Sequence, residues 1–153
     1  MWARLFLPAL LLQLIAPSDA LPTEYRSHYT HYATITRPDA VRKLYIAPTA
    51  LQAIRRGQGL TDDAEIVMEV YKAGRLQPVV SVSRKQAGSW RFSEVSPARP
   101  HASQTQDVAC QTCHGAAYAQ EFMFTLPQLL AFAKTDEVQQ VSCNRLGRRP
   151  CSP

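Results

Sequence analysis

The sequence predicts an α+β domain: a mainly antiparallel β-sheet with short helices, and a C-x-x-C-H motif on a C-terminal helix. Runs rich in β-branched and aromatic residues cluster in the middle of the chain. Helical stretches gather toward one end, and no internal repeat or long low-complexity linker interrupts the pattern. Tyr29–Thr36 reads as a strand, Arg37-Pro38-Asp39 as a turn, and Val41–Ile46 as a second strand. Thr49 is placed to cap a short helix, Ala50–Arg56, which Gly57 ends. A loop over 58–63 leads to strands at Glu65–Tyr71, Pro78–Arg84 and Ser89–Val95. Pro97–Gln106 is polar and proline-bearing, hence a surface loop. Asp107–Gln120 and Leu126–Ala133 are predicted helices.

The ends of the chain differ from this body. Arg4, the apolar run Leu5–Ala16 and the small residues Ser18 and Ala20 read as a secretory signal, residues 1–20. The apolar run is too short to span a bilayer comfortably. The remaining residues, about 133, suit one compact domain with its own core. We divide them into a domain over 21–135 and a C-terminal tail over 136–153. In an oxidising compartment Cys143 and Cys151 are expected to pair within that tail. The loop they close is short, worth about 2–3 kcal/mol. Net charge is +5, a moderate excess that usually means a solvated surface. No basic stripe interleaved with aromatics points to nucleic acid. Arg145, Arg148 and Arg149 read as a solvated basic cluster.

Cys110-Gln-Thr-Cys113-His114 has the spacing at which c-type haem is attached. Each cysteine adds across a haem vinyl group as a thioether, and the adjacent histidine meets the iron as the proximal ligand. Three other chemistries use similar spacing. A thioredoxin-like dithiol sits in a βαβ setting with an aromatic before its first cysteine, whereas Val108-Ala109 precede Cys110. A zinc site wants a second close pair, and Cys143 and Cys151 are too far apart. A disulfide within C-x-x-C closes a small, strained loop. Covalent haem attachment in bacteria occurs outside the cytoplasm, so haem and signal together predict a periplasmic protein.

Several segments, in order, resemble the cytochrome P-460 family, which includes the β-type cytochromes c-prime. They are His31-Tyr-Ala-Thr-Ile-Thr-Arg-Pro-Asp39, Leu44-Tyr-Ile-Ala-Pro48, Ile66-Val-Met-Glu-Val-Tyr71, Gly88-Ser-Trp-Arg-Phe92, Cys110-Gln-Thr-Cys-His-Gly115 and Phe122-Met-Phe-Thr125. The resemblance runs from about Tyr25 to Phe132. It implies a domain, often a homodimer in the family, whose chain holds one covalent haem c, with Cys110 and Cys113 as thioether cysteines, His114 as the iron's proximal ligand and an open distal position. Enzymatic members oxidise hydroxylamine and related nitrogen oxides and carry a lysine cross-linked to haem. The c-prime-like members lack the cross-link and bind small gases such as nitric oxide behind an apolar distal wall. In Val67-Met68-Glu69, Met68 stands where the lysine would be, and a thioether cannot form that bond. Around Val79 the distal carboxylate of the enzymatic members has no clear match.

Met68 alternates with Ile66 and Val70 and reads first as core packing. Sharper roles are a distal haem-edge contact or a sixth iron ligand. Glu69 points to the other face and is expected at solvent or paired with a base. Tyr45 is the expected distal-side wall. Trp90, Phe92, Phe122 and Phe124 are core or haem-pocket aromatics, with the last two beneath the haem helix. His28, His31 and His101 are weaker axial-ligand candidates, and Lys72 a surface residue. Four functions compete. They are a gas-binding haem protein, a hydroxylamine or nitric oxide oxidoreductase, a six-coordinate electron carrier with a periplasmic redox partner, and a non-haem dithiol or zinc domain. The oxidoreductase needs a proton acceptor, for which Glu69 and Glu94 are the available carboxylates.

Overall fold

The structure is a computed structural model that describes residues 21–22, 24–99, 108–146 and 151. The signal segment 1–20, His101, Arg148 and Arg149 lie outside the described residues. The elements run α1 (Tyr25–His28), β1 (Thr30–Thr36), β2 (Val41–Ile46), α2 (Pro48–Arg55), β3 (Glu65–Lys72), β4 (Arg75–Leu76), β5 (Val80–Gln86), β6 (Ser89–Val95), α3 (Val108–Gly115), α4 (Leu126–Thr135) and β7 (Gln139–Ser142). One sheet orders its strands β6-β5-β3-β2-β1-β7, with β4 beside β3. All pairs are antiparallel except β1 with β7, which is parallel. This is the predicted α+β class.

Local chemistry sets the boundaries. Both the β3–β4 and β5–β6 hairpins turn on Ala-Gly pairs at positive φ, Ala73-Gly74 (48° and 74°) and Ala87-Gly88 (47° and 75°). Positive φ at both central residues gives the turn twist that matches paired strands. Helix α2 starts two residues earlier than expected. Ala47 is its N-cap and Pro48, which lacks an N–H to satisfy, occupies the first turn, so Thr49 caps nothing. Gly57 (φ 76°) ends it, with Gln58 N–H donating to the Ala53 carbonyl (3.0 Å) and Gly57 N–H to Ile54 (2.9 Å). The long helix expected over 107–120 is shorter: α3 stops at Gly115 and a single 3₁₀ turn, Tyr118–Gln120, follows. The segment expected as a tail supplies β7, and Cys143 N–H extends its pairing to the Thr36 carbonyl (2.9 Å). Cys143 and Cys151 form the expected disulfide, Cα atoms 5.5 Å apart.

The two sheet faces carry separate cores. One face, covered by helices, gathers Tyr32, Ile35, Leu44, Ile46, Ile66, Trp90 and Phe92 with Leu51, Ile54, Leu129 and Phe132. The other gathers Tyr45, Val67, Val80, Val82 and Val95 under Leu21 and Tyr25 of the N-terminal segment. Two carboxylates from β3 lie on this second face, because residues 65, 67 and 69 alternate to it. Glu65 pairs with Arg84 and accepts the Tyr29 hydroxyl (2.7 Å). Glu69 is 0% exposed, which corrects the solvent-facing expectation and keeps the paired one. Arg26 and the Tyr25 hydroxyl donate to one oxygen, and the Tyr71 (2.6 Å) and Tyr45 (3.3 Å) hydroxyls to the other. Burial by itself would raise the Glu69 pKa. The Arg26, Tyr25 and Tyr71 hydrogen bonds outweigh it, and the net direction is down.

A carboxyl whose folded pKa is depressed adds stability above its ordinary value of 4.5, and that stability is lost as pH falls through the folded value. Glu69→Gln is expected to cost about 2–4 kcal/mol in urea unfolding at pH 7 and to flatten the acid loss of stability. A variant that keeps the wild-type acid profile would assign that loss to other groups. Cys151→Ser is expected to cost about 2–3 kcal/mol in the same assay under oxidising conditions, and a variant of unchanged stability would show the bridge to be inert.

Candidate haem site

Helix α3 carries Cys110, Cys113 and His114 and packs against edge strand β6. Cys110 touches the helix-covered core. The Cys110 and Cys113 sulfurs are not joined in a disulfide, unlike Cys143 and Cys151. Their i, i+3 spacing puts both on one side of the helix.

His114 is the ordered centre of the site. Its ring stacks on Phe92 (centroids 4.1 Å) and lies 5.3 Å from Phe124. Phe92 in turn stacks on Trp90 at 6.3 Å. Nδ1 lies 2.6 Å from the Phe122 carbonyl. A carbonyl only accepts, so Nδ1 carries the proton and donates it. The lone pair is therefore on Nε2. Burial lowers the His114 pKa, against the opposing pull of the Phe122 bond. The ring is thus held neutral near pH 7, the form in which imidazole ligates a metal.

That carbonyl reaches back eight residues because the chain turns sharply after α3. Glu121 (φ 50°) and Phe122 (φ 62°) are successive non-glycine residues in the left-handed region. Such a conformation costs an L-residue roughly 1–2 kcal/mol. The Phe122 N–H closes the turn onto the Ala117 carbonyl (2.9 Å). Phe122 was expected as a ring beneath the helix. Its backbone oxygen is the more informative atom, and no side-chain pattern announces a carbonyl.

Strand alternation places the remaining candidates. Met68 packs on the helix-covered core, the face of His114. It sits in a register row Leu44–Met68–Ser81–Glu94, beside the row Ile46–Ile66–Ser83–Phe92. Glu94 therefore shares the Phe92 face, one pleat along. Tyr45 does not share it. It lies in the second core, beside Tyr25 (6.0 Å), with its hydroxyl on Glu69 and its pKa pushed up to about 12, chiefly by burial. The expected distal wall at Tyr45 is thus corrected: residues 44 and 46, not 45, look toward the motif. His31 goes with Tyr45, ring centroids 5.1 Å apart, and its Nε2 lies 3.0 Å from both the Ala33 carbonyl and the Thr34 hydroxyl. His28 is exposed at the end of α1, and Lys72 is exposed at the end of β3. Among the described residues no group of three His, Cys, Asp or Glu side chains converges as a metal cage.

A histidine whose Nδ1 is taken by a carbonyl, two thiols on the same helix and an aromatic bed beneath the ring are residues that fit a haem group. The chain belongs to the cytochrome P460 family, whose model matches residues 22–125. That span covers β1–β6 and the whole C-x-x-C-H motif. Comparison with curated proteins finds no match.

Phe92→Ala would remove the ring on which His114 rests, a side chain 3% exposed. It is expected to cost about 3–5 kcal/mol in denaturant unfolding. Wild-type stability in that variant would mean that α3 docks on β6 without this contact.

Proposed function

We propose that the chain is an exported c-type cytochrome. Cys110 and Cys113 would hold haem by thioether bonds and His114 would ligate iron through Nε2. The opposite iron position would stay open to a small nitrogen oxide or diatomic gas. The observation that carries this reading is the Phe122 carbonyl on His114 Nδ1, which orients the ring and leaves Nε2 as the only ligating nitrogen. Haem, when bound, supplies an iron that exchanges electrons and takes a ligand at its open position. The chain supplies orientation, an apolar bed and exclusion of water. Export rests on Arg4, the Leu5–Ala16 run and Ala20, and places any redox partner in the periplasm.

Met68 on the His114 face supports ligand binding over cross-linked enzyme chemistry, because a thioether offers no amine. One observation favours an oxidoreductase as the second reading. Glu69 is committed to the clamp on the far face, whereas Glu94 stands on the motif's face beside Phe92. A carboxylate there would supply a proton acceptor on the motif's face for a nitrogen-oxide substrate held by the haem.

The test is the optical spectrum of the matured protein, ferric and reduced, with and without nitric oxide. High-spin bands that shift on adding nitric oxide are expected. A low-spin spectrum indifferent to nitric oxide would move the function to six-coordinate electron transfer. Glu94→Gln is expected to leave nitric oxide binding unchanged, and if hydroxylamine is oxidised, to lower that turnover by about 100-fold or more.

A further inference from the structure

We infer that Lys85 and Glu121 are positioning residues for the proximal histidine, forming a strut that aims the Phe122 carbonyl at His114 Nδ1. The inference rests on the reading of His114 as the iron ligand. The turn that delivers this carbonyl contains two successive L-residues at positive φ, Glu121 and Phe122. Left alone, such residues relax toward negative φ, and relaxation rotates the peptide planes that fix where the carbonyl points. Something outside the turn has to hold it.

The Lys85 Nζ reaches Glu121 Oε2 at 3.1 Å and donates to the Leu60 carbonyl at 2.7 Å. The other Glu121 oxygen lies against Gly59, where a Cβ would come within 3.7 Å of it. Lys85 is itself anchored. Its N–H donates to the Ala64 carbonyl and its carbonyl accepts from Asp63 N–H, both at 2.9 Å. On β5 it stands opposite Trp90, which opens the Trp90–Phe92–His114 stack. The sheet therefore reaches the histidine by two routes, through the rings to its face and through the ion pair to its Nδ1.

An ion pair this exposed (19% and 44%) contributes little to stability. Its effect is on direction. A well-aimed Nδ1–H···O bond pushes electron density onto the ring, strengthens Nε2 as a donor and favours ferric over ferrous iron. Loss of aim has the opposite sign.

The experiment compares matured wild-type holoprotein with Glu121→Gln, Lys85→Met, and the charge-reversed Lys85→Glu/Glu121→Lys pair. Resonance Raman of the ferrous form reads the iron–histidine stretch, and spectroelectrochemistry reads the ferrous fraction at one fixed potential. Both single variants are expected to lower the stretching frequency and to raise the ferrous-to-ferric ratio about three- to tenfold. The reversed pair re-forms the ion pair but not the bond to the Leu60 carbonyl, to which a carboxylate cannot donate, and is expected to recover part of both shifts. Single variants that keep the wild-type band and ratio overturn the strut. His114→Gly separates the two levels of the inference, since haem stays attached through the cysteines. If that variant loses the band while the single variants keep it, the ligand reading stands and the strut falls. If the band survives in His114→Gly, both fall.

Discussion

Strand β3 runs through the middle of the sheet and has to satisfy two dissimilar surroundings at once. Ile66 and Met68 look to the helix-covered core, while Glu65, Val67 and Glu69 look to the N-terminal segment. Burying two carboxylates beside a valine costs free energy unless each is paired and hydrogen-bonded. The N-terminal segment supplies Tyr25, Arg26 and Tyr29, and the sheet supplies Arg84, Tyr45 and Tyr71. The clamp therefore fixes the first described residues to the sheet, and Leu21, 1% exposed, completes the core beneath them.

With one face closed by the clamp, the other is left for the site. It is built at the β6 edge, where Phe92 supports the His114 ring and the 116–125 turns fold over it. Three kinds of contact hold that histidine: a stacked ring, a backbone carbonyl, and burial that keeps it neutral. None is strong alone. Together they leave one nitrogen, Nε2, with its lone pair available. The same turns reach the main core through Met123 and through the Tyr32 hydroxyl, which meets Thr125 at 2.8 Å. Site and core share these residues, so a loosened core loosens His114.

Much of this was legible in the residues. Val41–Ile46 and Ser89–Val95 appear with the expected bounds, because β-branched and aromatic alternation is a local property. Strand alternation also told correctly that Met68 and Glu69 face apart. It says nothing about which face the motif occupies, so it places Tyr45 on the motif's side and leaves Glu69 open between solvent and a basic partner. Strand β7 was missed: Gln139–Ser142 is polar and short, and becomes a strand only because β1 offers an open edge. The expected helix over 107–120 is longer than α3, because after Gly115 the chain tightens into a 3₁₀ turn over Tyr118–Gln120 whose residues carry no helix-breaking signal.

By itself, then, the sequence determined the α+β class, the C-x-x-C-H motif and family resemblance that point to haem, and the pairing partner of Cys143. Each depends on residue type and spacing along the chain, which survive in any conformation. Tertiary structure alone decided which face of the sheet meets the motif, that Glu69 is a buried clamp, and that a backbone carbonyl orients His114. Those depend on contacts between segments distant in sequence: 43 residues from Arg26 to Glu69, and 36 from Lys85 to Glu121. No local pattern records such a contact, because its energy appears only when the chain has folded.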